Sequence, residues 1–140
     1  MSNSPLVSYT RISPNRNSPR NHAIDRITIH CYVGQVTAER GCSGKRFITY
    51  DPNDGASCNY VVGCDGSIGL CVPEEDRSWC SSSRANDHRA VTIETAGDTV
   101  HPYAVTAEAY SALLDLCTDI CRRNGKRKLL WMEDEWTALS

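Results

Sequence analysis

Apolar and polar residues alternate with a period of two in two strings that nearly copy each other, Ile27-Thr28-Ile29-His30 and Val91-Thr92-Ile93-Glu94. That period is the signature of a β-strand with one face in a core. If the two strands lie side by side and run the same way, Ile27, Ile29, Val91 and Ile93 fill the core. Thr28, His30, Thr92 and Glu94 then share the opposite face. An imidazole and a carboxylate meet at the strand ends, where the sites of open α/β sheets lie.

The pattern elsewhere completes an outline. Ser57 to Val62 and Ser67 to Val72 bracket Gly63-Cys64-Asp65-Gly66, a hairpin signal. Thr37 can cap a short helix within Val36 to Cys42, ended by Gly41 and Gly44. From Thr106 a long helix is predicted, because Tyr110, Leu113, Leu114, Cys117, Ile120 and Cys121 recur at steps of three and four. Arg122 and Arg123 suit the negative end of its dipole, and Asn124-Gly125 stops it. Residues 1–24, rich in Ser, Asn, Pro and Arg, read as a loop-like arm before one domain over 25–140. Pro73 to Arg89 reads as a long loop, and Leu129-Leu130-Trp131 as the start of another strand.

Composition narrows the partners. At 140 residues the chain has length for a single core. A net charge of −2 supplies no basic field for nucleic acid. No stretch approaches the ~20 apolar residues of a membrane span. The start, Met1-Ser2-Asn3-Ser4-Pro5, lacks a charged region followed by an apolar run, so synthesis in the cytoplasm without a secretory signal is expected. The eight cysteines contain no Cys-x-x-Cys pair, which argues against a zinc ribbon. In a reducing compartment they are expected to be mostly free thiols, packed as small apolar groups.

Three residues carry candidate chemistry, each with a plainer alternative. His30 is either a structural histidine or a metal ligand. Glu94 closes an otherwise apolar strand and must be solvated, paired or functional; Arg89 is the ion-pair partner at hand. Trp79, in a polar loop, either covers the edge of the core or forms an aromatic wall for a sugar or peptide. His88 and His101 read as surface residues, and the run Arg122, Arg123, Lys126, Arg127, Lys128 as a solvated helix end.

Several strings in series carry a family resemblance. They are Ile27-Thr28-Ile29-His30, Val36-Thr37-Ala38-Glu39-Arg40-Gly41-Cys42, Ser57-Cys58-Asn59-Tyr60-Val61-Val62 with Asp65-Gly66, Val72-Pro73-Glu74-Glu75-Asp76-Arg77-Ser78-Trp79, and Arg89-Ala90-Val91-Thr92-Ile93-Glu94. In order and spacing, from about residue 21 onward, the chain resembles the zinc-dependent N-acetylmuramoyl-L-alanine amidases of the type 2 family. Phage endolysins, bacterial autolysins and peptidoglycan recognition proteins belong to it. The resemblance implies an α/β fold, a mixed sheet flanked by helices. It implies a Zn2+ ion held by His30 and two further ligands, with Glu94 as catalytic base. Its substrate would be peptidoglycan, cut between N-acetylmuramic acid and L-alanine, and Trp79 would line the substrate groove. A protein made without a signal would reach the cell wall after phage or prophage release.

The departures from the family pattern define further expectations. In the family the second His and an Asp or Cys ligand follow the long helix, and here no His follows His101. The metal site is therefore expected to be incomplete, so that these 140 residues hold zinc weakly and hydrolyse little; stoichiometric zinc and full activity would mean that the missing ligands are replaced from within, with Cys80, His88 and His101 the first positions to mutate. Cys58 stands where some members carry a catalytic Tyr, so that role passes to no residue, and Tyr60 reads as a packing residue. Cys80 follows Trp79 where some carry a His. A peptidoglycan-binding module without activity is the alternative. A thiol hydrolase using Cys80 and His88 is a third reading, but no sequence feature places a base beside a thiol of lowered pKa.

Overall fold

The structure, a computed structural model, describes residues 2–131. Its strands are β1 (Tyr9–Thr10), β2 (Arg16–Asn17), β3 (Arg26–Cys31), β4 (Tyr60–Val62), β5 (Ile68–Leu70), β6 (Arg77–Ser78) and β7 (Ala90–Thr95). The helices are α1 (Ala38–Cys42), α2 (Lys45–Ile48), α3 (Arg84–Arg89) and α4 (Ala107–Arg123). Five strands form one mixed sheet in the order β1-β5-β4-β7-β3, and β2 pairs with β6. The α/β reading, a mixed sheet flanked by helices, holds.

The two copied strings are neighbours. β3 and β7 run parallel with Ile27 opposite Val91, Thr28 opposite Thr92, Ile29 opposite Ile93 and His30 opposite Glu94. β4 pairs parallel with the other edge of β7 and antiparallel with β5, which is the expected hairpin. On one face of the sheet α4 packs through Ala109, Leu116, Cys117 and Ile120 against Tyr60, Val62, Ile68, Leu70, Val91 and Ile93. The other face carries a second cluster, in which Cys42 of α1 and Phe47 of α2 meet Cys58, Val61 and Cys71. Thr37 and Thr106 cap α1 and α4 through side-chain bonds to the amides of Arg40 and Ala109.

Four expectations are corrected. Ile29 is 51% exposed, because β3 is the outermost strand and only its neighbour Ile27 packs against the α4 cluster. Leu129-Leu130-Trp131 form no strand; they find no ladder partner and lie exposed after the turn at Gly125. The segment before residue 25 has loops but also β1, which extends the sheet beyond β5, and β2. The loop from Pro73 to Arg89 contains β6 and α3, the latter capped by Ser83, whose hydroxyl accepts from the Asn86 amide. Both elements are short and stand on polar contacts, so no hydrophobic period announces them.

Cysteine packing follows the thiol expectation in the cores. All eight are free, and Cys42, Cys58, Cys71 and Cys117 are buried. Cys42 seats α1 on β5 at Gly69, where an added Cβ would stand 2.6 Å from the Cys42 sulfur and 3.3 Å from the Ala38 Cβ. Gly69→Ala should therefore destabilise the fold by about 1–3 kcal/mol. Urea unfolding measures it, and an unchanged midpoint would show that α1 can lift without cost.

Candidate functional site

The site lies at the carboxyl ends of β3 and β7, on the face opposite α4. Alternation along β7 sends Val91 and Ile93 into the α4 core and leaves Thr92 and Glu94 on the other side. Parallel register then sets His30 beside Glu94. The His30 Nδ1 atom is 3.8 Å from Glu94 Oε1, and the two side chains are 34% and 17% exposed. Burial pushes the Glu94 carboxyl up to about 7, opposed by a contact from the Cys80 thiol.

Cys80 completes the group. Its sulfur is 3.8 Å from Glu94 Oε1, and one donor atom from each of His30, Cys80 and Glu94 lies within 4.8 Å of the others. Burial pushes the Cys80 thiol upward, and the neighbouring Cys58, Glu94 and Asp87 add to that shift. The backbone holding it is anchored by Asp87, whose buried carboxylate accepts from the amides of Cys80 at 3.1 Å and Ser81 at 3.2 Å and from the Ser81 hydroxyl at 2.6 Å. Ser82 in the same loop sits at φ +62°, a left-handed conformation that costs a non-glycine residue energy.

Arg89 does not pair with Glu94. Its guanidinium binds Asp25, with Nε 3.0 Å from Oδ1, which holds the Asp25 carboxyl below the usual carboxylate range. His88 accepts the Asn21 amide proton at Nδ1, 3.0 Å away, and His101 stacks on Tyr103 at 6.3 Å. Neither belongs to the cluster, so the side chains beside Cys80 are those of His30 and Glu94, not His88. Tyr60 is fully buried, and its hydroxyl binds Glu74 and receives the Ser4 amide.

Trp79 sits next to this group in sequence but points to a different neighbourhood. It is half-buried, its indole N–H donates to Asn17 Oδ1 at 2.7 Å, and its ring leans on Tyr50 with centroids 6.2 Å apart. Tyr50 is 62% exposed, so the pair forms a ledge open to solvent. In the basic run, Arg123 departs from the solvated reading and pairs with Glu74 at 2.7 Å and Asp119 at 2.9 Å.

Sequence reasoning reached His30 and Glu94 through the copied strings and named Cys80 without its partners. It missed Asp87 and the buried Arg20, whose guanidinium donates to the carbonyls of Glu74, Asp76, Asp87, His88 and Ala90. A polar residue in a loop carries no periodic signal. The only hint was the length of that loop.

Comparison with known proteins agrees with this architecture. A family model described as N-acetylmuramoyl-L-alanine amidase matches residues 20–131. No curated protein matches. Among solved structures, a selenomethionine derivative of AmpD superposes with a TM-score of 0.62 at 19% identity, covering 86% of this chain and 76% of AmpD. The Staphylococcus aureus hydrolase AmiA, in complex with its ligand, gives 0.63 at 18% identity, over 88% of this chain and 58% of AmiA. Drosophila peptidoglycan recognition protein SA gives 0.54 at 18%, over 85% and 75%. At such identities the likeness is one of fold. Among the described residues no helix is long and apolar enough to cross a membrane.

Proposed function

The chain belongs to the N-acetylmuramoyl-L-alanine amidase family, and on that premise we propose that it hydrolyses the amide bond between N-acetylmuramic acid and L-alanine in peptidoglycan. The observation that carries the proposal is the pairing of His30 with Glu94 at the ends of two parallel strands, beside a partly buried thiol. Its place of action is the cell wall, reached by release from a phage or prophage host.

The donor set suits zinc. Imidazole nitrogen and thiolate sulfur are among its usual ligands, and here one of each lies within 4.8 Å of the other, with the Glu94 carboxylate beside them to act as base. His30 would hold the ion. Zinc, when bound, polarises the scissile carbonyl and lowers the pKa of a coordinated water to about 7. Glu94, held near neutrality by burial, is poised to take a proton from the attacking water at Oε1 and to return it to the departing amine of alanine. Its partial burial keeps bulk water from competing for that proton.

Trp79 with Tyr50 would bind the glycan or stem peptide. Trp79→Ala should weaken peptidoglycan binding with little change in melting temperature, whereas a core Trp truncated to Ala costs about 3–5 kcal/mol. Sedimentation with purified cell wall reads the binding, and a large stability loss with unchanged binding would make Trp79 structural. The activity itself is tested by incubating zinc-loaded protein with labelled cell wall. Dye release with new alanine amino termini is the expected result. Release of reducing sugars alone, or no release with retained binding, would overturn it.

A further inference from the structure

We propose that Cys80 is a metal ligand, its thiolate sharing the ion with His30, so that part of the coordination shell comes from the loop before α3. This rests on the reading of His30 as a ligand and adds a donor which the family resemblance assigns to no residue of this chain.

The spacing of the donors supports the assignment. Four donors around one zinc at about 2.0–2.3 Å stand roughly 3.5 Å apart. Cys80 Sγ and His30 Nδ1 are each 3.8 Å from the same Glu94 oxygen, and all three donors fit within 4.8 Å. A small contraction brings the Cys80 sulfur and the His30 nitrogen onto one ion, with the Glu94 carboxylate beside it. Loop placement supports it as well, because Asp87 clamps the amides of Cys80 and Ser81 and so fixes the backbone that carries the sulfur. Among the described residues the ion pairs give Glu94 no partner except His30, leaving the cluster without a lysine or arginine that would stand in for a cation.

The test uses the whole 140-residue chain, freed of metal and titrated with Co2+, followed by the near-ultraviolet thiolate-to-cobalt absorption. The parent should develop that band to one equivalent and lose it when Zn2+ is added. Cys80→Ser should abolish the band and weaken zinc binding about a hundredfold or more, while Cys31→Ser, which alters an exposed thiol, should leave both intact. Cys80→Asp should bind zinc without the band, which separates loss of a ligand from loss of the fold. Zinc should protect Cys80 from alkylation in the parent. A band that survives in Cys80→Ser, or cobalt bound by the parent without a band, would overturn the assignment, as would a parent that binds neither metal. Glu94→Gln keeps the two readings apart. It should retain the band while losing hydrolysis; a parent with the band but no hydrolysis defeats only the proposed activity, and hydrolysis undiminished in Cys80→Ser defeats only the ligand.

Discussion

Glu94→Gln is expected to lower cell-wall hydrolysis by about 10²-fold or more, the range that a positioned general base supplies. The amide is isosteric with the carboxylate, so the β3–β7 ladder and the fold should persist. Two further results distinguish this loss from damage. In the parent the rate should climb with pH as the Glu94 carboxyl, which burial pushes up, ionises, since it works as base only in that form. The slope should vanish from whatever activity Glu94→Gln retains. Stability of the metal-free protein should move the opposite way. A carboxyl whose folded pKa lies above its unfolded value favours folding below the ordinary carboxylate range, and that contribution is lost as pH rises through 7. Glu94→Gln has no charge to bury, so its unfolding midpoint should hold steady where the parent's falls. Dye release from labelled wall and urea unfolding between pH 5 and 8 measure both. Hydrolysis at the parent rate would remove Glu94 from the mechanism.

The parts of the fold legible in the sequence are those in which one residue type answers one geometric demand. Alternation in Ile27–His30 and Val91–Glu94 encodes two strands and a shared face, and pairing them needed only their likeness. Thr37 and Thr106 cap their helices by local bonds that a spacing of three residues reveals. Ile29 escaped the same logic, because alternation says which residues share a face and not whether anything covers it. The polar scaffold was illegible for a related reason. Asn59 is fully buried and ties the strands together, donating to the carbonyls of Val72 and Pro73 and accepting from the Thr92 amide and hydroxyl. Asn15 does the same for the carbonyls of Arg46 and Thr49. An asparagine in a loop and one in a core look alike in a linear chain, and only long-range contacts distinguish them. Cys80 is the instructive middle case. Its thiol was visible, but what it can do depends on His30 and Glu94, fifty residues before it and fourteen after.

Replacing Arg20 should have the largest effect on stability. The side chain is 7% exposed and its three nitrogens donate to five backbone carbonyls, at 2.7 Å for Glu74, 3.0 Å for Asp76 and 3.0–3.2 Å for Asp87, His88 and Ala90. Burial lowers its pKa from the ordinary guanidinium value, and the carboxylates of Glu74, Asp76 and Asp87 counter that shift. Arg20 thus ties the N-terminal segment to the turn before β6, to α3 and to β7 in one place. Arg20→Met keeps most of the volume, removes the charge and leaves those carbonyls without their donor. The expected cost is about 3–5 kcal/mol, as for a buried ionic group that loses its partner, and that is a large share of the ~5–15 kcal/mol that holds a domain folded. Arg20→Lys restores charge but not the planar fork that reaches several carbonyls, so it should fall between parent and Arg20→Met. The exposed pair Arg46–Asp54, 63% and 78% exposed, provides the contrast. Breaking it by Asp54→Ala should cost no more than about 1 kcal/mol. Urea unfolding monitored by tryptophan fluorescence compares the four proteins, with the loss read from the midpoint at constant slope. Because Arg20 anchors the carbonyl of Asp87 and the Asp87 carboxylate holds the Cys80 amide, the folded fraction of Arg20→Met should also alkylate faster at Cys80. An Arg20→Met protein that unfolds within about 1 kcal/mol of the parent would mean that water replaces the guanidinium at all five carbonyls, and that the loop bearing Cys80 is held by Asp87 alone.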